Sequence, residues 1–192
     1  MDATAKLSAR STYSDALKRA KAALVALRAA TLVSRSRPSR ATPVPDFSPL
    51  ATDLQMQNIL MRRWNECEAC LQVGAHLAAT VMMGGLLEAL FVARANKMSD
   101  KRPLFATKST PIDGKTKKPL QLGDWTLRPY LDVGAELGWI TKPGKDVGVV
   151  LRDYRNYIHP EKERAHGVTL NGHDAAMFWE LTKSLSKQLL AT

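Results

Sequence analysis

Cysteine is nearly missing from this chain, with only Cys67 and Cys70 among its 192 residues. A small disulfide-stapled scaffold is thereby excluded, because such folds need several bridges to make up for a thin core. The C-x-x-C spacing invites a redox or zinc reading. A redox pair wants a βαβ setting, however, and a structural zinc wants four ligands, whereas only His76 lies nearby in sequence. One helical turn apart, the two thiols read as small core residues. No run of alternating apolar and polar residues is long enough for a strand of useful length, which excludes β-sandwiches and barrels. Gly-rich phosphate loops, Ser-His-Asp order and the H-E-x-x-H element are all absent, and with them go the mechanisms those motifs carry. His76, His166 and His173 lack the cysteine or carboxylate spacing of a metal site, so neither a metal nor a cofactor is expected.

Long apolar runs are scarce too. The longest, Leu77 to Ala93, is interrupted by Thr80, Gly84, Gly85 and Glu88, and its 17 residues fall just short of a membrane span. It reads as a central core helix, and no membrane association is expected. Ala22 to Val33 is broken by Arg28 and is followed by no convincing cleavage site, so no signal peptide is read there. The Arg/Ser-rich start has a transit-peptide flavour that Asp2 and Asp15 speak against. With two thiols and no signal, a reducing cytoplasm is the expected location.

What the chain has in excess is positive charge, +10 overall, but unevenly placed. Residues 1–45 carry nine Lys/Arg against Asp2 and Asp15, a balance of +7, and residues 97–118 carry seven against Asp100 and Asp113, a balance of +5. The remainder sums to −2, so the packed body is close to neutral and global charge says little about what it binds. Residues 12–33 alternate basic and apolar residues as an amphipathic helix does. Ser34 to Pro49, with Pro38, Pro43, Pro45 and Pro49, reads as an extended linker. The chain thus divides into a basic arm and linker, residues 1–48, and a globular domain, residues 49–192.

Within that domain the periodicity is helical throughout. Leu60, Trp64, Cys67 and Leu71 recur at i, i+4, i+7 and i+11, and Gly74 bends or interrupts their helix. Ala75 to about Lys97 is apolar nearly all round, hence central. Ser99 to Asp124 reads as a long basic loop with a turn at Thr110-Pro111-Ile112-Asp113-Gly114, a length that hints at a functional element. A short helix capped by Asp124 or Thr126 puts Leu127, Leu131, Gly134 and Leu137 inward and stops at Gly138, with Trp125 and Trp139 as anchors. Pro143-Gly144 turns the chain, Asp146 caps a helix ending at His159, and a last helix carries Phe178, Leu181, Leu185 and Leu189. The expected fold is an all-α bundle of about five helices.

The densest chemistry lies in Leu151-Arg152-Asp153-Tyr154-Arg155-Asn156-Tyr157-Ile158-His159-Pro160. At about 100° per residue, Arg152, Arg155 and His159 share one helical face, flanking an apolar stripe of Val147, Leu151, Tyr154 and Ile158. Such a face suits a phosphate. Preceded by the apolar helix with Gly85-Leu86-Leu87-Glu88-Ala89-Leu90 and followed by an amphipathic helix, the segment resembles the HEPN superfamily over roughly residues 53–190. That family's motif is an arginine, a polar residue, and a histidine after four to six intervening residues. Arg152-Asp153 with His159 matches at six, while Arg155-Asn156 leaves only three. The resemblance implies a small helical bundle, commonly dimeric. It also implies metal-independent cleavage of RNA in toxin–antitoxin or phage-defence settings, or a relative that has lost catalysis.

The residues themselves allow the same chemistry. Cleavage by RNA's own 2′-hydroxyl needs a general base, for which histidine is suited near neutral pH, and cations for the charge developing on phosphate. His159 and Arg152 are the candidate catalytic pair, with Asp153, Arg155, Asn156 and Tyr157 as candidate substrate contacts. Glu88 is the supporting carboxylate, paired with a motif arginine or facing a cavity. A leaving-group acid would come from water, Tyr157 or a second subunit. The alternative is a non-catalytic helical module for dimerisation or protein interaction, in which Arg152 and Arg155 pair with Asp153, Glu161 or Glu163 and His159 only closes a helix. Expected partners are a second copy of the chain, RNA, and an antitoxin or other protein.

Overall fold

The computed structural model describes residues 43–167 and 169–191. The basic arm and the amphipathic 12–33 segment lie outside the described residues. Seven helices make up the body: α1 (Leu54–Gln72), α2 (His76–Lys97), α3 (Arg102–Ala106), α4 (Leu127–Glu136), α5 (Lys142–Arg155), α6 (Pro160–His166) and α7 (Gly172–Leu190). Two 3-10 turns, Leu122–Asp124 and Asn156–Ile158, join them. Among the described residues there is no strand, only an isolated antiparallel bridge between Ile112 and Pro119. The described residues are all-α, with seven helices where about five were expected.

Asp53 starts α1 by accepting from the Gln55 and Met56 amides at 3.0 and 3.2 Å, which satisfies donors that the first turn leaves open. Leu60, Trp64 and Cys67 face inward as their spacing predicts. Gly74, at φ +74°, closes α1 in the left-handed region, where a residue with a Cβ would be strained, so it ends the helix outright. Helix α2 is the hub. It packs against α1, α4, α5 and α7, and buries Ala79, Met83, Leu86, Leu87, Leu90 and Phe91 among others. At 22 residues it is long and apolar enough to cross a membrane by length and composition, because the helix runs past both ends of the apolar stretch.

Phe47, Leu50 and Ala51 are buried, with Phe47 edge-on to Trp64 at 6.3 Å, so the proline-rich stretch enters the body before its last proline. Trp125 and Trp139 are buried as anchors of α4. Cys67 is fully buried and Cys70 partly so, both as free thiols; burial above all pushes the Cys67 thiol up to about 12.

Three boundaries differ from the sequence reading. Helix α5 begins at Lys142, capped by Thr141 Oγ1, which accepts the Gly144 amide at 3.2 Å. Pro143 sits in its first turn, where a missing N–H costs nothing, so Pro143-Gly144 initiates the helix instead of turning the chain. The long basic loop contains α3, the Ile112–Pro119 bridge and a 3-10 turn. Pro160 ends one helical run and also opens α6 as its first residue, and His166 closes that helix.

Candidate functional site

The motif straddles a break. Helix α5 ends at Arg155, Asn156–Ile158 winds as a 3-10 turn, and His159 leaves helical geometry at φ −89°, ψ 110° before α6 begins. Winding at about 120° per residue over three residues carries the chain about 60° past the direction of an unbroken α-helix. His159 is thereby turned off the helical face that it would share with Arg155 in an unbroken helix. For the same reason Ile158 leaves the buried stripe and is 53% exposed, while Tyr157 takes the inward position.

Arg155 and Glu88 meet across the α2–α5 seam. Arg155 Nη1 donates to Glu88 Oε2 at 3.1 Å, and that oxygen also accepts the backbone amide of Leu127 at 3.1 Å. Leu127 is the first residue of α4, whose capping residue Thr126 makes no side-chain cap. Glu88 thus performs from a different helix the work of an N-cap, and its charge at the positive end of α4 is favourable. Gly84, one turn before Glu88, makes the approach possible: a Cβ there would lie 2.6 Å from Arg155 Cδ. The arginine stem crosses α2 where α2 has no side chain. Close by, the Tyr130 phenol is pushed up, by burial first and by the Glu88 charge second.

Arg152 has a different environment. Its Nη1 donates to Asp153 Oδ1 at 2.7 Å, and the two side chains are 36% and 46% exposed. His159 is exposed, and no hydrogen bond or ion pair among the described residues engages its imidazole. Its backbone is fixed on both sides, since its amide donates to Asn156 O at 3.2 Å and its carbonyl accepts from Lys162 and Glu163. Asn156 is half-buried and caps α5 through its backbone. Tyr157 is buried below the turn, its ring 5.1 Å from Tyr154 and 5.6 Å from His166; Tyr154 in turn packs on Phe178 at 5.2 Å.

The motif residues therefore divide into two groups. Arg155, Glu88 and Tyr157 hold the packed seam, whereas Arg152 and Asp153 pair at the surface and His159 is exposed. A groove of about 390 Å³ on α1, lined by Met61, Asn65 and their neighbours, contains none of them. No group of three or more metal-ligating side chains occurs among the described residues. Sequence reasoning missed Leu127 and Gly84. Gly84 and Glu88 are spaced i, i+4 on an otherwise apolar helix, a signal that could have flagged a polar slot. No family model, no curated protein and no solved structure matches the chain.

Proposed function

We propose that this chain is a HEPN-like helical protein that binds RNA along the edge carrying Arg152 and His159, and cleaves it without a metal. The observation that carries the reading is the exposed His159 imidazole, engaged by no other described side chain yet fixed through its backbone, a few residues after a half-exposed guanidinium. The Arg152–Asp153 pair is a surface one, contributing at most about 1 kcal/mol, so a phosphate can displace Asp153. In the proposed reaction His159 takes the proton of the RNA 2′-hydroxyl. That oxygen attacks the adjacent phosphorus as the bond to the 5′-oxygen breaks, leaving a 2′,3′-cyclic phosphate, and Arg152 balances the charge on the phosphoryl oxygens. The 5′-oxygen takes its proton from water or from a second copy of the chain in a homodimer. Arg155, committed to Glu88, serves to hold the seam.

The deciding experiment compares purified wild type, His159→Ala and Arg152→Ala on labelled RNA in EDTA. Wild type cleaves; His159→Ala does not, yet keeps its RNA affinity, because one imidazole adds little to phosphate binding. Arg152→Ala loses both. Cleavage surviving in folded His159→Ala would end the catalytic assignment. One observation favours a second reading, a non-catalytic interaction module: both motif arginines engage carboxylates, beside an exposed Ile158 suited to a protein contact. RNA-free wild type that neither binds nor cleaves RNA, but assembles through this edge, would decide for it.

A further inference from the structure

Lys115, Lys117 and Lys118 lie together on a turn that the body holds rigidly. The Ile112–Pro119 bridge closes its base, Leu120 N donates to Pro111 O at 2.8 Å, and Asp113 N donates to Lys118 O at 2.8 Å. Inside the turn, Asp113 Oδ1 accepts the amides of Lys115 at 3.0 Å and Thr116 at 2.6 Å. These hydrogen bonds, those from Thr116 foremost, hold the Asp113 carboxyl below its ordinary value, so the acid is occupied with the turn and, among the described residues, forms no ion pair with these lysines. Residues 114–119 are all exposed. The base is anchored in turn, with Trp125 Nε1 donating to Leu120 O at 3.0 Å and Thr110 Oγ1 to Leu104 O at 2.9 Å.

Lys117 supplies the second observation. At φ +56° it is the only non-glycine among the described residues in the left-handed region, where asparagine or glycine would be at ease. A long cationic side chain at a backbone position that disfavours it points to a use for that side chain. The surroundings isolate it further, because residues 97–118 carry a balance of +5 while the chain outside this segment and residues 1–45 sums to −2.

We infer that the Asp113–Lys118 turn is a preformed clamp for the phosphodiester backbone of single-stranded RNA, with Lys115, Lys117 and Lys118 as its contacts. The choice of polyanion rests on the RNA reading above. Lysines here act as point charges on phosphates and read no bases, so the clamp adds affinity and salt dependence but no sequence preference. Because the turn is already closed by its own hydrogen bonds, little ordering accompanies binding.

The test uses the full chain and a fluorescein-labelled 2′-O-methyl oligoribonucleotide, which has no free 2′-hydroxyl and cannot be cut. Anisotropy titrations at several salt concentrations give log Kd against log salt. Replacing all three lysines, Lys115→Gln, Lys117→Gln and Lys118→Gln, lowers the slope by about 2, at about 0.7 per phosphate contact on a single strand, with affinity falling on the order of tenfold or more at low salt. Lys117→Asn alone, which suits the local backbone, lowers the slope by about 0.7 and guards against misfolding of the triple variant. An unchanged slope in folded variants overturns the clamp, even if wild type cleaves RNA. Lysine-dependent binding of polyglutamate with lysine-independent binding of the oligonucleotide also overturns it, in favour of an acidic protein. Wild type that binds the probe through these lysines but never cleaves RNA leaves the clamp standing and removes only the catalytic reading.

Discussion

Two arginines three residues apart on α5 have opposite surroundings. Arg155 crosses α2 at Gly84, ends on Glu88 and shares its acceptor with the first amide of α4. Arg152 rests on a neighbouring surface carboxylate, seven residues before the exposed His159. What separates them is the partner: at one position α2 offers a gap and a carboxylate, and at the other the guanidinium meets only the carboxylate next to it in sequence. A motif of identical residue types thus splits into a group that holds helices together and a group left available to a ligand.

The largest effect that would break this comparison is on the proposed RNA cleavage. Arg152→Ala should slow it on the order of a hundredfold or more while leaving unfolding free energy within about 0.5 kcal/mol of wild type. Rates in EDTA and urea denaturation measure the two quantities. If Arg155→Ala instead removed activity at unchanged stability, the assignments would be exchanged. Next comes stability. Glu88→Ala strands a guanidinium and a helix-start amide together and should cost about 1–3 kcal/mol in urea unfolding, with Glu88→Gln costing less because it keeps an acceptor. A loss below about 0.5 kcal/mol would mean the seam does not depend on this carboxylate.

A finer measurement is the coupling itself. The double-mutant cycle of Glu88→Ala with Arg155→Ala should give about 0.5–2 kcal/mol, against less than about 0.5 kcal/mol for Arg152→Ala with Asp153→Ala. Equal couplings would erase the distinction between the two arginines. A separate effect, one of pH, lies in the core on α1. The folded Cys67 thiol titrates at about 12 against an ordinary 9.0, so the folded state keeps a proton that the unfolded chain gives up. Its contribution is complete below about pH 9 and is lost as pH rises from there toward 12, a slope that Cys67→Ala should flatten. An unchanged slope in that variant would place the alkaline transition elsewhere.

Periodicity made α1, α2, α4 and α7 legible, because their buried residues recur at helical spacing or run nearly all round, and Gly74 and Gly138 mark where α1 and α4 stop. Proline was the weak point. Pro143 and Pro160 read as breaks, yet each stands in the first turn of a helix, and local sequence does not say which side of a proline the helix takes. The site was half legible. Glu88 stood out as a charge in an apolar helix, and its pairing with a motif arginine is present. Its second contact was not readable, since Leu127 lies 39 residues away and offers only a backbone amide. The angle between Arg155 and His159 was not legible, because no residue pattern announces the change from α to 3-10 winding after Arg155.

Gly84 carries a consequence for variants of the chain. A methyl group at that position would collide with the arginine that crosses it, and without that arginine the carboxylate one turn later would lose its charged partner. The three residues are therefore coupled, so a variant that enlarges residue 84 must shorten residue 155 or refit residue 88 in the same step. Arg152 and His159 stand outside that coupling, so the bundle can outlast a change at either of them.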